Sequence, residues 1–205
     1  MDNVYYIGGS PCSGKSTVAQ MLAEKYDLQY YKQDDFLEEY MSKGVKESNS
    51  LFEKVASLSK DEMWLRSPAL LCEEEISLYE VMFHYSMNTI STLSKGRPII
   101  AEGAGFMPRF MKGSGISRCS YCCMVPTKDF QIEMYSKREW VSDFLADCTD
   151  SKAGFVNWME RDTLFGETVK GEAKELGYKC IIVDGKEGIH EIFTRVENHF
   201  KKGKL

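Results

Sequence analysis

Several features are missing from this 205-residue chain, and each absence excludes a class of protein. No apolar run approaches the roughly 20 residues that a membrane-spanning helix needs. Positive charge is scarce, because 26 Lys and Arg face 31 Asp and Glu, which gives a formal net charge of −5. A nucleic-acid-binding surface requires clustered basic residues, and the basic group Lys201, Lys202 and Lys204 is typical of a solvated helix end. The composition therefore predicts neither membrane nor nucleic-acid partners.

We also expect neither a secretory leader nor a zinc site. The first apolar run, 4–7, is far shorter than the core of a signal peptide and follows Asp2. Seven cysteines, an odd number spread over predicted strands and helices, are typical of reduced and mostly buried thiols. Cys119 and Cys122 have the spacing of half a zinc site, but no second pair follows and only three histidines are present. We expect a cytoplasmic protein without structural zinc.

What the chain does contain is a glycine-rich loop between an apolar run and a helical pattern. The loop matches the phosphate-binding pattern G-x-x-x-x-G-K-[ST]. Its glycines allow a tight turn in which backbone N–H groups point at the β- and γ-phosphates of a nucleotide, while the lysine adds positive charge and the following serine is placed for Mg²⁺. The alternative is a simple turn with a solvated lysine. The residues are Gly9, Ser10, Pro11, Cys12, Ser13, Gly14, Lys15, Ser16 and Thr17.

One residue of this loop carries a further expectation. Cys12 lies among many backbone N–H groups at the start of a helix, and such surroundings lower the pKa of a thiol. We therefore expect the pKa of Cys12 to be low, although bound phosphate would oppose that shift.

The order of elements predicts a three-layer α/β fold, in which helices flank a five-stranded parallel sheet. The helix-rich segment 38–95 is longer than an ordinary crossover, so it is expected to form a flap over the substrate. The mostly helical segment 135–165 is expected to act as a lid, and 1–205 is expected to be a single domain. The predicted strands are 3–8, 28–32, 98–101, 119–125 and 179–183.

Acidic residues follow two of these strands. Ligands of parallel sheets bind at the carboxyl ends of the strands, where Asp34 and Asp35 follow the second strand and Glu102 the third. Adjacent carboxylates beside phosphate and Mg²⁺ can divide the work, because one accepts a proton while the other holds metal or substrate. Glu102 is expected to reach the metal through water. Ordinary turn or helix-capping roles are the alternative for all three.

Four arginines are candidates for binding negative charge. Arg138 and Arg161, in the predicted lid, are placed to neutralise the transferring phosphoryl group, although surface helix arginines usually have no such role. Arg66 and Arg109 would suit a phosphorylated acceptor, whereas the acidic residues after Asp35 would oppose one. Six aromatic residues near the flap are candidates for stacking on a base, with a core position as the alternative: Tyr30, Tyr31, Phe36, Tyr40, Trp64 and Tyr79.

Together these motifs resemble the small P-loop kinases that phosphorylate nucleosides, nucleotides and small metabolites. The stretch Gln33-Asp34-Asp35-Phe36 is similar to that of uridine kinase and nicotinamide riboside kinase, which implies that Asp34 is the catalytic base. Residues 182–185 resemble the segment bordering the adenine, which implies that Gly185 lies near the nucleotide. Further similarity at 64–66, 104–108, 126–127 and 157–162 extends the resemblance over nearly the whole chain and indicates a separate branch of these kinases. The aspartates after the second strand are spaced differently from those of shikimate and gluconate kinases, and the sequence contains no segment like the lid of adenylate kinase.

The resemblance implies transfer of the γ-phosphoryl group of ATP to a small hydroxyl-bearing acceptor, most simply a nucleoside or nucleotide. Lys15 and Asp34 would then be catalytic, with Arg138 and Arg161 closing over the phosphate. Ser16, Asp34 and Glu102 would hold Mg²⁺. Two alternatives stay open: a regulatory ATPase that acts through a protein partner, against which the absence of an Asn-Lys-x-Asp motif counts, and a degenerate kinase retained as a binding module. The acceptor and the oligomeric state are left open by the sequence.

Overall fold

The structure, a computed structural model, describes residues 3–93, 96–203 and 205. Two predicted segments reach beyond the described residues: the 1–205 domain at positions 1 and 2, and the 38–95 flap at position 95. Lys204 also lies outside the described residues. The strands are β1 Val4–Gly9, β2 Gln29–Lys32, β3 Ile99–Glu102, β4 Tyr121–Pro126 and β5 Lys179–Val183. These five strands form one parallel sheet in the order β2-β3-β1-β4-β5, which confirms the predicted α/β fold.

The helices lie between and after these strands. Two of them reach 26 residues each, yet none of the helices within the described part of the chain is apolar enough over a sufficient length to cross a membrane. The helices are α1 Lys15–Tyr26, α2 Leu37–Lys46, α3 Ser50–Ser57, α4 Lys60–Trp64, α5 Pro68–Leu93, α6 Pro108–Gly113, α7 Lys128–Ser136, α8 Glu139–Phe144, α9 Ser151–Leu176 and α10 Ile189–Phe200.

Side chains alternate between the two faces of each strand, and both faces are covered by helices. On one face, Tyr6, Ala101 and Cys123 lie in a core with residues of α5, α6 and α9. On the other face, Ile7 and Met124 lie in a core with residues of α1 and α10. The result is three layers, with the sheet in the middle.

The segment between β2 and β3 contains four helices. Helices α2 and α3 rest on α5 through the buried side chains Tyr40, Phe52, Met82 and Tyr85. Helix α4 instead reaches α9, where the rings of Trp64 and Trp158 stack with centroids 4.6 Å apart. The predicted flap is therefore packed on both the sheet layer and α9.

The Trp64–Trp158 stack belongs to a larger group of rings. Trp140 and Phe144 of α8 and Tyr135 of α7 each lie within 6.4 Å of another ring of the group, measured between centroids. We call Trp64, Tyr135, Trp140, Phe144 and Trp158 the aromatic cluster. It joins the flap to the lid-like segment.

Candidate functional site

The glycine-rich loop starts at the carboxyl end of β1, the central strand. Gly9 has φ 113° and Gly14 has φ 82°, in the left-handed region that favours glycine. A Cβ atom on Gly9 would lie only 2.0 Å from the carbonyl oxygen of Met124 on β4, so the loop can leave the sheet only with glycine here. Lys15 begins α1, and its Nζ donates a hydrogen bond of 2.8 Å to the carbonyl of Ser10. Ser13 Oγ donates to the same carbonyl at 2.9 Å.

The prediction of a low pKa for Cys12 is wrong. Its half-buried side chain packs against the hydrophobic residues around the aromatic cluster. Burial raises the pKa of the Cys12 thiol, and the positive charges of Arg138 and Lys15 do not outweigh that effect. The negative charge of Asp162 raises the pKa further. The prediction considered only the N–H groups around Cys12 and left out the loss of solvation that burial imposes on a thiolate.

Ser16 and Glu102 meet where the first turn of α1 faces the end of β3. Ser16 Oγ donates to Glu102 Oε1 at 2.9 Å, and the Tyr30 hydroxyl donates to the same oxygen at 3.1 Å. Glu102 is 1% exposed. Burial raises the pKa of this carboxyl, and the nearby charge of Asp34 adds to the rise, whereas Lys15 and Ser16 oppose it.

These oxygen atoms fit a magnesium ion. Mg²⁺ prefers hard oxygen ligands and commonly takes one or two from protein, filling the other positions with phosphate oxygens and water. Within residues 3–93, 96–203 and 205, no group of three or more His, Cys, Asp and Glu side chains could hold a metal without such help. The Ser16 hydroxyl and the Glu102 carboxylate therefore suit a metal that arrives with a nucleotide.

Asp34 lies in a short 3₁₀ turn, Gln33–Phe36, that follows β2. The turn is fixed by Gln33, a buried residue to which sequence reasoning assigned no role. Gln33 Oε1 accepts a 2.8 Å hydrogen bond from the N–H of Gly105, and Nε2 donates to Ser86 Oγ at 2.9 Å. A Cβ on Gly103 would lie 2.5 Å from the Cβ of Gln33. The glycines after β3 thus leave room for the side chain that anchors the Asp34 turn.

The two adjacent aspartates have different surroundings. Asp34 lies near enough to Glu102 and Tyr79 for its negative charge to contribute to their raised pKa values, which burial dominates in both. Asp35 forms an exposed ion pair of 3.3 Å with Lys32. Asp34 is itself exposed, but of the two aspartates it is the one whose charge acts on the buried Glu102.

A cavity of about 370 Å³, which we call the donor pocket, continues from the loop toward β5. Residues 12–14 line one side, and Phe130, Met134 and Arg138 line another. Gly185 has φ 81°, and a Cβ there would lie 2.7 Å from the Phe130 ring. The Arg138 guanidinium carbon lies 5.0 Å from the centroid of the Tyr135 ring and 5.8 Å from that of Trp140. The structure thus places Arg138 in the donor pocket beside the glycine-rich loop, and Gly185 against Phe130 in the wall of that pocket.

A second cavity of about 320 Å³, which we call the flap cavity, lies among α2, α3, α4, α5 and α9. Its apolar lining includes Leu37, Met41, Leu58, Leu78 and Met82. Of the six aromatic residues that the sequence suggests for stacking, Trp64 and Tyr79 line it. Its charged lining is Arg66, Glu74, Glu75 and Arg161.

Arg161 is enclosed in the wall of this cavity. Its side chain is 14% exposed and forms ion pairs of 2.6 Å with Asp162 and 3.2 Å with Glu75. Its guanidinium carbon also lies 4.9 Å from the Trp64 ring centroid. Burial lowers the pKa of Arg161, but the charges of Glu75 and Asp162 outweigh burial and raise it. Arg161 is thus matched by two carboxylates, and its role over the phosphoryl group stays a prediction.

The Arg161 pairs connect the two cavities. The Asp162 side chain is fully buried and accepts a 3.1 Å hydrogen bond from the Tyr135 hydroxyl. The backbone carbonyl of Asp162 accepts a 3.3 Å hydrogen bond from Ser10 Oγ in the glycine-rich loop. The wall of the flap cavity is therefore attached to the loop itself.

Glu75 is a site residue that sequence reasoning missed. Its Oε1 accepts a 3.2 Å hydrogen bond from the Tyr79 hydroxyl, whereas its buried Oε2 has no hydrogen-bond partner in the described part of the chain. Burial raises the pKa of Glu75 to about 7, with Arg161 opposing the rise and Asp162 adding to it. A signal was present: on α5, position 75 shares the apolar stripe of Leu71, Leu78 and Met82 at helical spacing.

The other two candidate arginines are both paired. Arg66 donates two hydrogen bonds to Glu74, of 2.9 and 2.7 Å, in the wall of the flap cavity. Arg109 lies on α6 outside both cavities, where its backbone N–H and its guanidinium bind Glu172 of α9.

No protein-family model matches this chain, and no curated protein matches it. Solved structures do match, and the three described next are all of low identity. Shikimate kinase from Acinetobacter baumannii, in complex with shikimate, is 13% identical with a TM-score of 0.49 and covers 100% of this chain and 96% of that chain. Shikimate kinase from Aquifex aeolicus is 17% identical with a TM-score of 0.45, covering 98% of both chains. A protein of Chloroflexus aurantiacus, provisionally described as a kinase, is 17% identical with a TM-score of 0.43, covering 96% and 97%.

Proposed function

We propose that this protein is a phosphotransferase that moves the γ-phosphoryl group of ATP to a hydroxyl group of a small molecule. The observation that carries the proposal is the position of the glycine-rich loop. The loop lines the donor pocket, its Ser10 is hydrogen-bonded to the wall of the flap cavity, and its Lys15 and Ser16 lie beside Glu102. The same loop thus contacts both the donor pocket and the wall of the flap cavity.

In this proposal the loop residues Gly9–Thr17 hold the phosphates through their N–H groups, and Lys15 turns from the Ser10 carbonyl to the phosphates. Ser16 and Glu102 hold Mg²⁺, with Asp34 as a candidate further ligand. The metal ion, when bound, neutralises phosphate charge. The adenine lies in the donor pocket near Phe130 and Gly185.

The acceptor lies in the flap cavity, covered by helices of 38–95. Asp34 orients its hydroxyl and takes the proton as the acceptor oxygen bonds to the γ-phosphorus. The bond from that phosphorus to the bridging oxygen breaks in the same transfer, and ADP leaves. Arg138, beside the loop, supplies positive charge to the transferring group from 135–165. Arg66 and Arg161 shape the acceptor site, Asp35 stays at its rim, and Arg109 is left out of the mechanism because it lies outside both cavities.

The Asp34→Asn variant tests the proposal. ADP release from Mg-ATP is measured against a panel of nucleosides, nucleotides and small hydroxylated metabolites, including shikimate. Acceptor-dependent turnover should fall by about 10²–10⁴, the usual contribution of a positioned base. The affinity for ATP without Mg²⁺, measured by calorimetry, should stay within about twofold, because Asp34 is outside the donor pocket.

The matched control is Glu38→Gln, which removes a neighbouring exposed carboxylate on α2 and should leave turnover unchanged. Undiminished turnover in Asp34→Asn would remove Asp34 from the base role. ADP formation that needs a protein partner instead of a small acceptor would contradict the kinase assignment and favour a regulatory ATPase.

A further inference from the structure

The charges that line the flap cavity are already paired with one another. Arg66 binds Glu74 through two hydrogen bonds, and Lys54 also donates to Glu74 at 2.6 Å. Arg161 binds Asp162 and Glu75. Each arginine of the lining thus has a carboxylate partner within the described residues. An anionic ligand would have to separate one of these pairs or lie next to a carboxylate.

One oxygen atom of the lining can accept a further hydrogen bond. Glu75 Oε2 is buried and accepts no hydrogen bond within the described ranges, although a carboxylate oxygen accepts strongly. A buried acceptor without a donor costs free energy comparable to a lost hydrogen bond. Oε2 itself is covered, but the side chain lines the cavity and is 12% exposed, so a rotation of the carboxylate would bring this oxygen to a donor on a ligand.

The rest of the lining is apolar and the space is small. Leucine, methionine and valine side chains and the Trp64 ring make up most of the wall. The volume of about 320 Å³ is at the lower end of the range of roughly 300–1,000 Å³ for small-molecule sites. Such a space suits one compact molecule with an apolar or aromatic face.

We propose that the flap cavity selects a neutral or positively charged acceptor of about nucleoside size, with Glu75 Oε2 accepting a hydrogen bond from its N–H or O–H group. Glu75 is then a specificity-determining residue, and phosphorylated acceptors are excluded. This inference rests on the proposed function in one respect, namely that the molecule in the cavity is the phosphoryl acceptor.

The physical basis of the exclusion is the cost of an unmatched negative charge. The cations beside the cavity are already paired, because Arg66 and Lys54 bind Glu74 and Arg161 binds Glu75 and Asp162. A phosphate group placed beside these carboxylates finds no unpaired cation in the described part of the lining and meets like charges in a mostly apolar cavity. A ligand that carries an N–H donor or a positive charge can instead bind Glu75 Oε2, which has no other hydrogen-bond partner among the described residues.

The test compares binding of charged and uncharged probes to the full chain without ATP. The probes are the four ribonucleosides, their 5′-monophosphates and 1-methyladenosine, which is cationic near neutral pH. Binding is measured by calorimetry and thermal shift. At least one ribonucleoside or 1-methyladenosine should bind, and each monophosphate should bind at least about 100-fold more weakly than its parent nucleoside. Monophosphates that bind as well as their parents, or no binding by any uncharged or cationic probe, would overturn the proposal.

The variant Glu75→Gln isolates the carboxylate. Affinity for the cationic probe should fall by about 10- to 100-fold, because hydrogen bonds to charged groups are the stronger kind. Affinity for a neutral probe should fall by about tenfold or less. The control Glu80→Gln, on the exposed side of the same helix, should change neither. Equal affinities in Glu75→Gln and the unaltered chain would refute the role of Glu75.

Adding Mg-ATP separates this inference from the proposed function. A neutral probe that binds through Glu75 but never yields ADP leaves the cavity assignment intact and contradicts the kinase. ADP formation with a monophosphate in preference to its parent nucleoside supports the kinase and refutes the charge selectivity.

Discussion

Replacing Arg161 by methionine distinguishes two roles for this arginine. The sequence predicts a lid cation that acts on the phosphoryl group, whereas the structure shows a buried guanidinium held by Asp162 and Glu75. Methionine preserves much of the apolar length of the side chain and removes its charge. The variant leaves the fully buried Asp162 and the nearly buried Glu75 without a cation.

The magnitude follows from that burial. Breaking a buried ion pair by removing one partner costs about 3–5 kcal/mol, because a charge is left uncompensated. For a chain of about 200 residues, each kcal/mol lowers Tm by roughly 2–4 °C, so a decrease of about 6–20 °C is expected. The Tyr135 hydroxyl still donates to Asp162 in the variant, which favours the lower part of this range.

Thermal and urea unfolding, followed by circular dichroism, measure the loss. The matched control is Arg138→Met. Arg138 contacts aromatic rings and has no ion pair among the described residues, so its loss should cost about 1 kcal/mol or less while turnover falls. A change of less than about 1 kcal/mol in Arg161→Met, with a large loss of turnover, would refute the structural role and restore the lid assignment.

Three further predictions follow from the geometry. Gly103→Ala should displace Gln33, cost about 1–3 kcal/mol in urea unfolding and reduce turnover, whereas Gly171→Ala, where a Cβ meets nothing within 4 Å, should be neutral or slightly stabilising. Hydrogen bonds from Lys25 and Tyr26 lower the pKa of Glu197 from 4.5 to about 2, so its stabilising effect is full above pH 4.5 and is lost as pH falls toward 2. The free-energy gap between the native chain and Glu197→Gln should therefore shrink over that interval in urea titrations, and a constant gap would contradict this assignment. The Cys12 thiol, protonated at neutral pH, should react slowly with a thiol reagent, as judged by the difference between the native chain and Cys12→Ser.

The strands and the glycine-rich loop were predictable because their signals are local. Except for β2, the strands are short apolar runs. β5 begins and ends where the pattern places it, while β1 is displaced by one residue from the predicted 3–8. The left-handed φ angles of Gly9 and Gly14 are likewise conformations that glycine adopts without strain.

The environment of Arg161 was not predictable in this way. Its partner Glu75 lies on another helix, distant in sequence, and only the packing of α5 on α9 brings the two together. Without that contact, Arg161 resembles a surface arginine, and the helical spacing that turns Glu75 inward does not identify its partner. The role of Gln33 was hidden for the same reason, because its partners Ser86 and Gly105 belong to other elements.

The aromatic cluster contains every tryptophan of the chain, since the sequence has three. Trp64 lines the flap cavity, and Trp140 lies under the Arg138 guanidinium beside the donor pocket. Trp158 lies between them, with ring centroids 4.6 and 5.8 Å away, close enough for excitation to pass among all three indoles. Intrinsic fluorescence is therefore a built-in reporter that needs no label. The emission should change when a ligand binds in either cavity. If the change with both ligands bound differs from the sum of the two separate changes, the difference would measure the coupling between the two cavities.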